Sequence, residues 1–402
     1  MTTQQPWLSV IGLGEDGIAG LAPAARSLID AAELLVGGER HLALVPEKSG
    51  QQRRSWSSPL LDLVDQLVQQ RGRRICVLAS GDPQWFGIGV TLAKRVPAAE
   101  VVILPGISAF SLAAARMAWA VDAADCITLH GRPLALLNLH LHPGARILAL
   151  SEDGKTPAAV AAHLAKAGFG SAEITVLEHL GGPRERIVSA RADAWPYADC
   201  ADLNTLAIAV QDGPAWSRLP GLDDNVFLHD GNITKREVRA VTLSRLAPFP
   251  GDLLWDVGAG SGTVSIEWLR ADRRNRAIAI EARDSRRQMI AQNALLLGVP
   301  QLDIRDGTVP GALDGLPAPD AIFIGGGILV DGLVDRCVAA LKPGGRLVAN
   351  VVTLEGEAVI VQGWQRHGGE LSRLAVARAD HVGRFHGWHA MMPVTQWSLV
   401  KE

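Results

Sequence analysis

The stretch Leu253-Leu254-Trp255-Asp256-Val257-Gly258-Ala259-Gly260-Ser261-Gly262-Thr263-Val264-Ser265-Ile266-Glu267-Trp268-Leu269 decides how this chain folds. An apolar run, Leu253 to Val257, meets the glycines Gly258, Gly260 and Gly262, and apolar residues at Val264, Ile266 and Leu269 then open a helical pattern. This order predicts strand, tight turn and helix. The glycines let the backbone approach a ligand closely, and the N–H groups that open the helix have no partner within it. A dinucleotide fingerprint needs a glycine at position 263, where Thr263 stands, so the pattern is G-x-G-x-G with Asp256 ahead of it. A second apolar run, Ala277 to Ile280, ends in Glu281. A carboxylate at a strand end, roughly 20 residues past the glycine loop, is placed to accept both ribose hydroxyls of a nucleoside.

Loop and acid together resemble the S-adenosylmethionine (SAM) site of a class I methyltransferase. The resemblance implies cofactor contacts from Gly258, Ala259, Gly260, Ser261, Gly262 and Glu281, flanked by Thr234, Thr308 and Val309. Thr234 has a local reading too: with Glu237 three residues on, it predicts a capping box at a helix start. Further strands are expected at Leu302 to Arg305, Ala321 to Ile324 and Arg346 to Val352, with closing strands at Leu374 to Ala377 and Gln396 to Val400, the last one antiparallel as the resemblance to that class implies. Alternating strands and helices make this half a doubly wound sheet.

Upstream, Trp7 to Leu13 reads as a strand running into Gly12-Leu13-Gly14-Glu15-Asp16-Gly17, with a helix from about Leu21 to Ala32. Here the G-x-G-x-x-G spacing is met, but Glu15 and Asp16 stand where a pyrophosphate needs positive potential. A sulfonium cofactor with an amino-acid end meets no such conflict. The strand Ile75 to Ala79 ends in Ser80-Gly81-Asp82-Pro83, followed by Trp85-Phe86-Gly87-Ile88-Gly89. Val101 to Leu104 ends in Pro105-Gly106-Ile107-Ser108-Ala109, and Thr128-Leu129-His130-Gly131-Arg132 follows. Each places small or polar residues at a strand's C-terminal end, where open α/β sheets bind ligands. These loops resemble the tetrapyrrole methylase family, SAM-dependent enzymes of corrin and sirohaem synthesis. The resemblance implies a cofactor cleft between two α/β lobes, lined by Gly12, Gly14, Gly81, Asp82, Ile107 and Ser108. Glu15 stands where many members have proline. His130 is read as facing the cleft, with cofactor or substrate contact and structural bonding both open. In the second lobe, strands are expected at Arg146 to Leu150, Ile174 to Leu177 and Asn204 to Val210, and Thr156 as N-cap before Pro157.

Gln211 to Asn225 turns to Gly, Pro and Asp with little periodicity, a domain boundary. The expected fold is therefore α/β throughout. A two-lobed tetrapyrrole methylase fold occupies residues 1–211, a linker 212–227, and a Rossmann-like class I methyltransferase fold 228–402. A length of 402 residues suits more than one core, and 48% apolar with 20% charged residues suits a globular enzyme. Net charge −3 and pI about 6.4 give no reason to expect a nucleic-acid partner. No apolar run reaches the ~18 residues of a membrane span, and Met1 to Pro6 lacks the features of an export signal. Cys76, Cys126, Cys200 and Cys337 are too scattered for a zinc knuckle or disulfide framework. Cytoplasm is the expected location. His381, His386 and His389 have no accompanying ligand beyond Asp380, so no metal is expected. The arginine-rich runs Arg270 to Arg276 and Arg283 to Arg287 are read as solvated helix faces.

The second half also resembles the small corrin methyltransferase-decarboxylases, and the whole chain resembles the fused enzymes of aerobic cobalamin synthesis. What this implies is one SAM per domain and a tetrapyrrole substrate: methylation of precorrin-6 at two meso carbons, loss of the ring C acetate carboxyl through the second domain, and precorrin-8 as product. A homo-oligomer is implied too. Methyl transfer to an electron-rich carbon mainly needs alignment, and no catalytic residue identifies itself. Enzymes that methylate exocyclic amines carry Asn/Asp-Pro-Pro-Tyr at the fourth strand end; here Ile324-Gly325-Gly326-Gly327 offers no polar side chain. Gly325, Gly326 and Gly327 are read as leaving room for a large flat substrate, so that Gly325→Leu should abolish turnover and spare SAM binding. The alternative is a SAM-dependent methyltransferase of RNA or another small metabolite.

Overall fold

The structure is a computed structural model that describes residues 6–57 and 59–402; residues 1–5, read above for an export signal, lie outside the described part. Contacts divide the chain into two compact units. One holds the chain up to Leu134 with His142–Pro214, the other Ala135–Leu141 with Ala215–Glu402.

The first unit carries two sheets. The strands β1 (Leu8–Leu13), β2 (Leu34–Gly37), β3 (Gln52–Ser55), β4 (Ile75–Ser80) and β5 (Val101–Leu104) form a parallel sheet in the order β3-β2-β4-β1-β5. Every residue of β1 is buried, because parallel sheets are covered on both faces. Successive side chains alternate faces: Val10 and Val77 pack with Leu63 and Leu67 on one side, Ile11 and Leu78 with Ile29 on the other. The second sheet, β6 (Asp125–Thr128), β7 (Arg146–Leu150), β8 (Glu173–Glu178), β9 (Arg186–Arg191) and β10 (Asn204–Ala209), has the order β6-β7-β10-β8-β9 and only β6-β7 parallel. The helix Ala109–Met117 buries Phe110, Ala113 and Ala114 against it. Thr156 is not the N-cap of the helix Thr156–Lys166 but its first residue. Lys155 stands at the N-cap with no side-chain cap, and the turn before it is held by Asp153, whose carboxylate accepts from Lys155 N at 2.9 Å and Thr156 N at 3.0 Å. A carboxylate is the stronger acceptor for helix-opening N–H groups.

In the second unit the strands are β11 (Leu253–Val257), β12 (Arg276–Ile280), β13 (Asp303–Arg305), β14 (Ala321–Ile324), β15 (Arg346–Val351), β16 (Glu370–Leu374), β17 (Ala377–Val382), β18 (Phe385–Ala390) and β19 (Val394–Val400). The sheet order is β13-β12-β11-β14-β15-β19-β16, with β19 antiparallel to both neighbours. From β11 the chain builds β12 and β13 on one side and β14 and β15 on the other, which puts a topological switch point at the end of β11. Leu254, Ala279 and Phe323 face one core; Trp255, Ile278 and Ile322 face the other.

Three local expectations change here. The first closing strand is Glu370–Leu374, and 377–390 instead form a hairpin of β17 and β18, whose almost complete exposure removes any alternating pattern from the sequence. His381 faces His386 across it, ring centroids 4.6 Å apart. The capping box does not form: the helix runs Arg236–Leu246 with Lys235 at the N-cap and no side-chain cap. Arg239 takes the Thr234 carbonyl at 2.5 Å, and Glu237 pairs with Arg378 at 2.7 Å. Arg270 is not solvated. It is buried and donates to Leu297 O at 2.6 Å and to Trp216 O and Ser217 O at 3.1 Å each; burial pulls its guanidinium down to about 10.

Of residues 212–227, Leu222 and Phe227 are in the second unit's core. Gly221 N and Leu222 N donate to the Glu267 carboxylate at 2.7 and 2.9 Å. The short segment Ala135–Leu141 belongs to this unit as well, with Asn138 donating to the carbonyls of Leu295 and Leu296.

Candidate active sites

At the switch point of the second unit the ends of β11, β12 and β14 open into a cavity of about 760 Å³, within the range that holds small ligands. Gly258, Ala259, Gly260, Ser261, Glu281, Thr234, Thr308, Val309 and Gly325, Gly326 and Gly327 all line it; Gly262 lies behind them. All three loop glycines have positive φ: +69 for Gly258, +60 for Gly260 and +77 for Gly262. Their surroundings differ. A Cβ on Gly258 would sit 2.6 Å from Gly326 Cα and one on Gly262 2.8 Å from Ile290 Cγ2, whereas one on Gly260 meets nothing nearer than Asn232 O at 3.8 Å. The outer glycines allow close packing, and the middle one keeps the cavity wall low.

Glu281 is buried, and its carboxylate accepts from Gly260 N at 2.9 Å and Arg283 N at 3.0 Å. The strand-end acid therefore shapes the glycine loop. Beneath it, the fully buried Asp256 accepts from Ser265 N at 3.1 Å and Ser265 Oγ at 2.6 Å through one oxygen, while the other has no partner. Burial pushes its carboxyl up to about 6, with the Glu281 charge acting in the same direction. The buried Ser261 Oγ is also without a partner. Unpaired buried polar atoms are rare enough to call for an explanation, and here two cluster at one glycine turn.

The glycines at the end of β14 have a packing duty. A Cβ on Gly325 would come 2.7 Å from the Phe323 ring, while one on Gly326 would make ordinary contact, 3.5 Å from Gly258 Cα. Gly325→Leu would therefore displace Phe323 before it met any substrate, and Gly326→Ala is the cleaner probe of room in the cavity.

In the first unit, the ends of β1, β4 and β5 pack backbone to backbone. Gly81 N donates to Leu13 O at 3.1 Å and Gly106 N to Gly81 O at 3.0 Å, and a Cβ on Gly12 would overlap Gly81 O at 1.7 Å. Gly14, Gly81 and Ile107 line a cleft of about 70 Å³ there, together with Glu15, Arg40 and Asn204. The other expected residues do not line it. Gly12 lies behind the loop, Asp82 caps a turn by accepting from Gln84 N at 2.8 Å, and Ser108 caps the helix Ala109–Met117 by accepting from Ser111 N at 3.0 Å. His130 is exposed, its N–H on Thr128 Oγ1 at 3.2 Å.

Glu15 decides the character of this cleft. Its carboxylate is ion-paired with Arg40, bonded to His179 Nδ1 at 3.0 Å and 3.7 Å from Arg184. Burial alone would raise it, but the His179 bond and the Arg40 charge outweigh that and hold it below its ordinary 4.5. The negative charge read at this loop is thus matched in place. Arg40 and His179 escaped sequence reading because they stand 25 and 164 residues away, with no local signal linking them to Glu15.

Residues 8–195 match the family of tetrapyrrole (corrin/porphyrin) methylases, and residues 225–401 match the precorrin methyltransferase domain. The molecule is a fusion of two methyltransferase domains of different fold. The precorrin-6Y C(5,15)-methyltransferase (decarboxylating) of a Sinorhizobium species is 50% identical over 399 residues, covering 98% of this chain and 97% of its own. The protein of the same name from Mycobacterium tuberculosis is 40% identical over 395 residues, covering 98% and 99%. A crystal structure of the C-terminal domain of precorrin-6Y C5,15-methyltransferase from Rhodobacter capsulatus is 48% identical and covers 46% of this chain and 100% of its own, with a TM-score of 0.44. The chain belongs to the family of decarboxylating precorrin-6Y C(5,15)-methyltransferases.

Proposed function

We propose that the chain methylates a precorrin at two carbons and removes one carboxyl, with one SAM in each unit. SAM, when bound, supplies a methyl group on a positively charged sulfur. The observation that carries the reading is the second unit's open cavity, in which the Gly258 to Gly262 turn and Glu281 meet at the switch point beside two unpaired buried oxygens. Glu281 and the turn's N–H groups would hold the nucleoside part, and Gly258 and Gly326 would let backbone and ligand approach. The largely apolar wall formed by Val309, Val330, Leu374, Val376 and Met391 excludes water from a flat acceptor and favours loss of a carboxylate there.

In the first unit the cofactor assignment rests on Gly14, Gly81 and Ile107, and it requires the Glu15 ion pairs to be exchanged for the ligand. Four free cysteines support a cytoplasmic enzyme, and among the described residues no helix is long and apolar enough to cross a membrane. The family resemblance supports a homo-oligomer. Incubation of the full chain with isotope-labelled SAM and precorrin-6Y should give a product with two labelled methyls and one carbon dioxide fewer by mass spectrometry. A product with no methyl overturns the reading. Titration with S-adenosylhomocysteine should show two sites, and one site would confine the cofactor to a single unit.

A further inference from the structure

Past β4 the chain reads Asp82-Pro83-Gln84-Trp85-Phe86-Gly87-Ile88-Gly89, and several constraints fix this turn at once. Asp82 accepts from Gln84 N, Trp85 N donates to Asp82 O at 3.1 Å, and Gly89 N donates to Pro83 O at 3.1 Å. Gly87 and Gly89 wrap Pro83 so tightly that a Cβ on either would come within 2.6 and 2.8 Å of it. Phe86, immediately before Gly87, takes φ +55, a conformation that a bulky side chain adopts only where its surroundings impose it. The consequence is outward display: Trp85 and Phe86 are each 42% exposed.

Both rings rest on the buried Phe110, with centroids 5.0 and 6.1 Å from it. The Arg132 guanidinium lies over Phe86, 5.6 Å from its centroid. Arg132 has no carboxylate partner among the described residues, whereas Arg40, Arg71, Arg95, Arg116 and Arg186 of the same unit each face one. An apolar aromatic surface with an uncommitted cation at its edge thus stands beside the turn that leaves β4. That pairing is complementary to a flat ring system carrying carboxylates: rings stack offset or edge-on, and a guanidinium takes a carboxylate through two hydrogen bonds.

We propose that Trp85, Phe86 and Arg132 form the acceptor platform of the first unit, the two rings against the face of the tetrapyrrole and Arg132 on one of its peripheral carboxylates. This rests on the tetrapyrrole reading above. It gives a purpose to the strain at Phe86 and to two sequence elements, Trp85-Phe86 and Gly131-Arg132, that the cofactor assignment leaves unused.

The test uses the full chain with SAM and precorrin-6Y, following separately the methyl added without carbon dioxide loss and the one added with it. Arg132→Gln should raise KM for the first by about tenfold or more, with kcat nearly kept, the second unaffected, and part of the loss recovered in Arg132→Lys. Phe86→Gly relieves the backbone strain, so it should fold at least as well as the parent, yet show the same rise in KM. It should also bind uroporphyrin, a stable carboxylated ring probe, more weakly by equilibrium dialysis. Unchanged KM and unchanged probe affinity in both variants overturn the platform while leaving the two-methyl reading intact. A change of sedimentation mass in Phe86→Gly without a change in KM overturns it too, and marks the surface as a contact between copies. Absence of methyl transfer by the parent chain itself defeats the functional reading instead.

Discussion

The two units hold similar glycine-rich strand ends in opposite states. In the second, the turn after β11 opens on a cavity of about 760 Å³; in the first, the turn after β1 meets a cleft of about 70 Å³. Each has a carboxylate at the critical point, and the difference lies in what it binds. Glu281 accepts N–H groups of its own and the neighbouring loop, so its charge is spent on local backbone and the space in front stays free. Glu15 reaches side chains at Arg40, His179 and Arg184, and so ties one lobe of the first unit to the other. The same residue type braces local backbone at one turn and pairs with distant side chains at the other.

Four changes would break or sharpen that contrast. The largest effect is expected where the open cavity rests on buried charge. Arg239, wholly buried, pairs with Glu267 at 2.7 Å and Asp224 at 3.2 Å and holds the Thr234 carbonyl at the cavity edge. Arg239→Met should lower stability by about 3–5 kcal/mol, because it strands the Glu267 charge in the interior; a urea midpoint close to the parent's would show that the cavity frame does not depend on it. Next, Gly258→Ala puts a Cβ into the Gly326 backbone at φ +69. By calorimetry it should cost roughly a hundredfold in S-adenosylhomocysteine affinity at the second unit and leave the first unchanged.

Glu15→Gln should destabilise the first unit by about 1–2 kcal/mol at neutral pH through loss of charge-assisted bonds. The sign follows from its pKa, which is lower folded than the ordinary 4.5: the contribution is present above 4.5 and fades as pH falls through the lowered value. Thermal unfolding curves of variant and parent should therefore converge in acid. If Glu15 is what closes the cleft, S-adenosylhomocysteine should also associate faster with the first unit of this variant in stopped-flow mixing. The smallest change is expected for Asp256→Asn. This acid titrates near 6 folded against 3.8 ordinarily, so the parent's full stability from this group exists below 3.8 and is lost as pH rises through about 6. The amide escapes that loss and keeps both Ser265 bonds on its carbonyl oxygen, but it buries an NH2 where the unpartnered oxygen stood, leaving a net gain of about 1 kcal/mol above pH 6 and none in acid. Melting temperatures at the two pH extremes would check it.

Strand ends were legible because their chemistry is local. Glycines at Gly258, Gly260 and Gly262, and a carboxylate closing an apolar run at Glu281, state their geometry through residue type alone. The same is true of Gly12 and Gly81, although the structure gives Gly12 to close packing and not to the cleft wall. Illegible were the features that depend on distant partners. Thr234 and Glu237 have the spacing of a capping box, yet the buried Arg239 and the hairpin's Arg378 claim them. Arg270 looks like one of a solvated run, but carbonyls from Trp216, Ser217 and Leu297 meet it inside. The hairpin of β17 and β18 escaped notice because strands exposed on both faces have no reason to alternate apolar with polar residues.

By itself the sequence determined two α/β folds, the glycine turns at their strand ends and the place of Glu281 at the end of β12. These follow from backbone conformation and burial, which residue type and period encode directly. Only the tertiary structure decided that the second turn opens on a cavity of about 760 Å³ and that Glu15, beside the first, is paired with Arg40 and His179. It alone set Phe86 outward beside Arg132, which has no carboxylate partner among the described residues. Charge pairing and side-chain display depend on which residues meet through space, and partners as far apart as Glu15 and His179 leave no periodic trace along the chain.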